Sequence, residues 1–176
     1  FRVPETIKFN ISGKLRTGVM PKDVLLRLIQ EIGPDGATYK AIEYAGATVG
    51  NMSVDGRMVL CNMSVEMGAK NGIVEPDAKT IEFLKNRVSR KFEIVKADSA
   101  ASYKEILSIE VSQLNPLIAC PHTLERHNIK PVREVNNTID QAFLGSCTGG
   151  RMEDLRMGAN ILKGRKVHQD VRMVVV

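Results

Sequence analysis

The residue best placed for chemistry is Cys147, in the loop Gly145-Ser146-Cys147-Thr148-Gly149-Gly150. An apolar run, Gln141 to Leu144, precedes the loop, and a stretch in helical register, Met152 to Leu162, follows it. A thiol between a strand end and a helix N-terminus sits where backbone N–H groups and the helix dipole favour an anion. Those conditions make a thiolate available as a nucleophile or metal ligand. The glycines let backbone approach something bulky. As a nucleophile Cys147 needs a histidine base, but His122, His127 and His168 all lie in linker or loop, and no spacing marks one out. As an iron–sulfur ligand it needs at least two more thiolates. Cys61 lies among apolar helical residues, Cys120 lies in a proline-rich stretch, and no CxxC pair occurs. A small buried thiol in a tight turn is the alternative. A phosphate-cradling loop is weaker, because the Gly-Lys-Ser/Thr ending is missing.

The second place is a helix expected from a Ser53 cap to about Gly68. Val54, Met58, Val59, Leu60, Cys61, Met63, Val65 and Met67 make it apolar on nearly every side, so burial all round is expected. Asn62 and Glu66 sit four apart within it, on one face of an α-helix. A buried carboxylate must find a partner or take up a proton. The pair is therefore a site candidate, or an internal hydrogen bond tying the helix to a neighbour.

The elements that must position these residues alternate strand and helix. Residues 5–11 alternate polar and apolar as a half-buried strand does. Pro21 opens a helix with Val24, Leu25, Leu28, Ile29 and Ile32 on one stripe, and Gly33-Pro34 stop it. Short strands are expected at 41–44, 73–74 and 106–111, with a helix from Pro76-Asp77 to about Val88. Residues 117–136, rich in proline, read as a linker. The segment 137–176 then forms a buried strand, a helix and a second buried strand, a βαβ crossover. The expectation is an α/β protein of mainly parallel sheets in three layers, α/β/α. Residues 1–116 would form one domain and 137–176 the incomplete start of the next.

Composition excludes several classes. With 43% hydrophobic and 26% charged residues the 176-residue chain is globular rather than disordered. No apolar stretch approaches the roughly 18 residues of a membrane helix. Three widely spaced cysteines and no secretion signal point to reduced thiols and a cytoplasmic setting. The net charge of +5 is dispersed, aromatics are 5% and Trp is absent, so a nucleic-acid surface is not expected. The first residue is not Met and the chain ends on three valines, so both ends look cut.

The segment Phe143-Leu-Gly-Ser-Cys147-Thr-Gly-Gly-Arg151-Met-Glu-Asp-Leu-Arg156 resembles the aconitase superfamily loop that supplies the first cluster cysteine. Ala159 to Val167 resembles the isopropylmalate dehydratase large subunit more than mitochondrial aconitase, and Leu60-Cys-Asn62-Met-Ser-Val-Glu66-Met-Gly-Ala69 and Ala37-Thr-Tyr-Lys-Ala-Ile-Glu-Tyr-Ala-Gly46 continue the likeness to this family, of the isopropylmalate dehydratase or homoaconitase kind. The resemblance implies a hydro-lyase of amino-acid biosynthesis, leucine biosynthesis included, that isomerises a small hydroxy di- or tricarboxylic acid by dehydration and rehydration. It implies a 4Fe–4S cluster held by three thiolates. Cys147 would be one metal ligand, and Glu66 and Asn62 would be catalytic, on the bound water and around the cluster. The two further cysteines, a CxxC downstream, and the serine base of a separate swivelling small subunit would lie outside this chain. Gly149 stands where the family has Asn, so that side chain's contacts are missing. The rival reading within the resemblance is a cluster-free, RNA-binding or non-catalytic relative.

Overall fold

The alternating segment near the start forms strand β1 (Thr6–Ser12), with Ile7, Phe9 and Ile11 buried and Lys8 and Asn10 on the opposite side. The computed structural model describes residues 1–85 and 87–176, which separate into two units, Phe1–Val132 and Arg133–Val176.

In the first unit β1 is joined by β2 (Ala41–Ala45), β3 (Asn71–Val74) and β4 (Glu105–Glu110) in a parallel sheet of order β3-β2-β1-β4. Helix α1 (Pro21–Ile32) connects β1 to β2. A short helix α2 (Ala47–Asn51), unforeseen from the sequence, and α3 (Val54–Asn62) connect β2 to β3. Both connections step in the same direction, and right-handed crossovers therefore bring α1 and α3 to one face. There Val24, Leu25, Leu28, Ile29, Val59 and Leu60 bury against Phe9, Ile11, Ile42 and Tyr44. Pro21 occupies the first turn of α1, and Gly33, at φ 82°, ends it by donating its N–H to the Ile29 carbonyl at 2.7 Å. The connection from β3 recrosses β2 and β1 to reach β4 and carries helix α4 (Ala78–Lys85). Tyr103, near its end, donates to Glu43 at 2.8 Å, and Glu43 pairs with Lys8, its neighbour in register, at 2.8 Å.

The stretch expected as a linker is largely folded. Strands β5 (Leu117–Ala119) and β6 (Ile129–Pro131) form an antiparallel ribbon on the first unit, with Ile129 buried. Asp23 holds it: one carboxylate oxygen accepts from Met20 N and the other from Leu117 N, both at 2.6 Å. Gln30 adds a bond to the Ile129 carbonyl at 2.9 Å. The prolines that suggested a linker lie at turns and at the ribbon end, where a missing N–H costs nothing. The acceptor that secures the ribbon is 94 residues away in sequence.

The second unit is a βαβ crossover: β7 (Gln141–Leu144) and β8 (Arg172–Val175) pair in parallel through helix α5 (Met152–Leu162). Gly158 lets α5 approach β7, because a Cβ there would lie 2.5 Å from Leu144 Cδ2. The strands expected to be buried are only half-buried. Ala142 and Leu144 are partly covered while Phe143 is exposed, since one helix covers one face of a two-stranded sheet. No helix among the described residues is long and apolar enough to cross a membrane.

Candidate functional site

The loop between β7 and α5 is a tight turn built on a strained residue. Ser146 has φ 73°, the left-handed region that a residue with a Cβ seldom adopts. Its carbonyl accepts the N–H of Gly150 at 2.9 Å and of Gly149 at 3.4 Å. A Cβ on Gly150 would stand 2.9 Å from that same carbonyl, so the turn cannot close around a larger residue without shifting. Cys147 sits at the exposed tip, in no disulfide, with the Ser146 hydroxyl 3.7 Å from its sulfur. Asp154 accepts from Arg151 N at 3.1 Å and caps the following helix.

Cys61 is different in kind. It is partly buried at the end of α3, and burial pushes its thiol pKa up, against the pull of the Val74 backbone. Of the histidines, His168 lies 3.6 Å from Asp170, two residues away. Among the described residues no group of three His, Cys, Asp or Glu stands close enough to hold a metal ion.

The helix carrying Asn62 and Glu66 departs from expectation. Regular α-helix ends at Asn62, and Met63–Met67 is a 3₁₀ turn that Gly68 closes at φ 80°. Met63, Ser64 and Met67 are buried, but Asn62, Val65 and Glu66 are exposed, Val65 to 64%. Burial all round is thus corrected: tightening to three residues per turn sends only one side of the segment into the core. Glu66 is thus exposed rather than buried.

The turn is tied to a neighbouring segment by backbone hydrogen bonds. Met67 and Gly68 carbonyls accept the N–H groups of Ala37 at 2.9 Å and Tyr39 at 3.1 Å, in the segment leading into β2. Asn62 and Glu66 therefore stand by the amino ends of β2 and β3. At the carboxyl ends, where parallel sheets usually bind ligands, there is a cavity of about 260 Å³ bordered by Lys8, Glu43, Gly46, Arg57 and Asp77. Its charged groups are paired: Lys8 with Glu43, buried Arg57 with Asp77, and Glu75, also on the border, with Lys96. The Arg57 hydrogen bond holds Asp77 well below the usual carboxylate range, with burial opposing.

Sequence reasoning missed two structural groups. One is Arg57 with Asp77, for which a cation inside an apolar helix was the signal. The other is Tyr44 with Ser64, bonded at 2.8 Å in the core; nothing local marks it.

Comparison with known proteins agrees with the motifs. The aconitase family (aconitate hydratase) matches residues 1–132 and 123–176. A probable 3-isopropylmalate dehydratase large subunit from Methanothermobacter thermautotrophicus is 53% identical over the whole chain, which covers 42% of that relative. The 3-isopropylmalate dehydratase large subunit 1 of Methanopyrus kandleri is 51% identical, again with 42% of it covered. A probable methanogen homoaconitase large subunit from Methanothermobacter thermautotrophicus is 47% identical over 99% of the chain and 41% of its own length. The chain thus spans about two-fifths of the curated relatives it matches, and with its α/β fold and parallel sheets it belongs to the aconitase family.

Proposed function

We propose that this chain is part of the large subunit of an iron–sulfur hydro-lyase. Its substrate would be a small hydroxy di- or tricarboxylic acid of the isopropylmalate or homoaconitate type, dehydrated and rehydrated together with a small-subunit swivel domain. The observation that carries the reading is Cys147, exposed on a strained strand-to-helix turn within a chain that matches the family along its length.

Cys147, exposed on its turn, would hold one corner of a 4Fe–4S cluster, whereas Cys61 and Cys120 are half-buried. The described residues supply one thiolate of the three such a cluster needs. When bound, the cluster supplies Lewis acidity at an iron without a thiolate. The chain's own residues do the rest of their share near the substrate. The Glu66 carboxylate accepts a hydrogen bond from the hydroxyl that leaves and returns, and the Asn62 amide orients its surroundings. The end of α3 and the turn that follows it keep Asn62 and Glu66 outward. The exposed position of Cys147 leaves room for the bulk of the group it would bind.

Anaerobic reconstitution of the full-length protein with iron and sulfide tests this. Wild type and Cys61→Ser should gain a broad brown absorption, and Cys147→Ser should lose most of it. Equal colour in Cys147→Ser would remove Cys147 from the ligand set.

A further inference from the structure

We infer that Tyr44 and Ser64 are positioning residues, a buried lock that sets the angle between Asn62 and Glu66. The inference rests on the reading of that pair given above. Ser64 Oγ lies 3.0 Å from the Leu60 carbonyl and 2.8 Å from Tyr44 Oη. A serine hydroxyl has one proton. The carbonyl can only accept, so Ser64 donates to Leu60 and Tyr44 donates to Ser64. Both side chains are 1% exposed, where a satisfied chain of hydrogen bonds is rigid and a broken one costly. Burial also pushes the Tyr44 phenol pKa up, which keeps its proton in place.

The lock acts on helix geometry. In a continuing α-helix the Leu60 carbonyl would serve Ser64 N–H. Here the Ser64 hydroxyl competes for that carbonyl, and the backbone tightens into the 3₁₀ turn Met63–Met67. Tyr44, on central strand β2, ties this switch point to the sheet. Gly72 on β3 makes room for it, since a Cβ there would run into Ser64 Oγ and lie 2.8 Å from Cys61 Cα. The consequence is angular. Residues four apart differ by roughly 40° around an α-helix and by roughly 120° around a 3₁₀-helix. Releasing the lock toward α-helix would swing Glu66 by on the order of 80° relative to Asn62. Neither lock residue reaches solvent, so both act through the pair they orient.

The test uses the full-length large subunit with its small subunit, and whichever of isopropylmalate and homoaconitate the wild type turns over. Tyr44→Phe, Ser64→Ala, the double variant and Glu66→Gln are compared by kcat, KM, thermal midpoint and amide exchange at residues 63–68. Tyr44→Phe should speed exchange in that turn about three- to tenfold, the value of one hydrogen bond, and lower kcat at unchanged KM. Ser64→Ala orphans the buried phenol and should also lower the midpoint. The double variant, with no orphaned group, should recover the midpoint but not kcat. Wild-type exchange and kcat in Tyr44→Phe, alongside a crippled Glu66→Gln, would overturn the lock. So would kcat that simply follows the midpoint across the three variants. Full turnover in Glu66→Gln would instead sink the reading of the pair; the lock would then have no catalytic group to position, even with faster exchange.

Discussion

Arg57 and Asp77 meet through two parallel bonds, Nη1 to Oδ1 at 2.8 Å and Nη2 to Oδ2 at 2.6 Å. Arg57, 4% exposed, also donates to the carbonyls of Val49 at 3.2 Å and Gly50 at 3.0 Å, at the end of α2. Asp77 in turn accepts from Thr80 N at 3.1 Å and caps α4. One ion pair thus joins α2, α3 and α4 beyond the carboxyl ends of the sheet.

Asp77→Asn should lower stability at neutral pH by about 1–3 kcal/mol, because it leaves a buried guanidinium without its counter-charge. The loss is smaller than for a fully buried pair, since Asp77 is 42% exposed and water can reach the site. The pH dependence has a definite sign. Folded Asp77 refuses a proton that the unfolded chain accepts. Its contribution is therefore complete above about pH 4 and drains away as acid is added below that. Urea unfolding from pH 6 down to pH 2 should show a shallower decline in Asp77→Asn than in wild type. Parallel curves would mean the pair adds nothing to acid stability.

Asp23→Ala should release the β5–β6 ribbon while leaving the central sheet intact. The substitution orphans the Met20 and Leu117 N–H groups, at about 1–3 kcal/mol for each group left buried. Relief of burying the carboxylate, which raises its pKa, offsets part of that. Hydrogen exchange should accelerate at Leu117, Ile129 and Lys130, with β1 unchanged. Uniform acceleration across both would show that the ribbon and sheet unfold as one.

Gly72→Ala should destabilise by about 1–3 kcal/mol, as overpacking does. The new methyl meets the Ser64 hydroxyl and lies 2.8 Å from Cys61 Cα and from the Cys61 carbonyl. Two of those three neighbours are backbone and cannot rotate away. A chemical denaturation midpoint equal to wild type would show that the end of α3 yields more readily than its packing suggests.

Thiol labelling should separate the cysteines. Cys147 is exposed at a loop tip, while Cys61 is partly buried with its pKa pushed up. With a colorimetric disulfide reagent at pH 8, Cys147 should react at least about tenfold faster, because it is accessible while burial disfavours the thiolate of Cys61. Peptide mapping of the labelled chain gives the ratio. Faster labelling at Cys61 would show that the end of α3 opens in solution.

Much of the architecture was legible from local pattern. Alternation marked β1, Pro21 and Gly33 bracketed α1 to the residue, and Ser53 caps α3 through Gly56 N at 3.0 Å as expected. Cys147 was placed between strand and helix because glycines and periodicity flank it on both sides. These features depend on residues within a turn or two of one another, and the motifs that carry the family are of the same local kind. What the tertiary structure alone decided depends on distant partners. In the 3₁₀ turn that follows Asn62, Ser64 meets Tyr44, 20 residues before it, across the core. Residues 117–131 fold as a ribbon because Asp23, 94 residues before Leu117, offers an acceptor. Apolar periodicity reports which side of a segment is buried. It does not report which buried polar group will meet which, since a hydrogen bond is settled only when two elements are brought within about 3 Å.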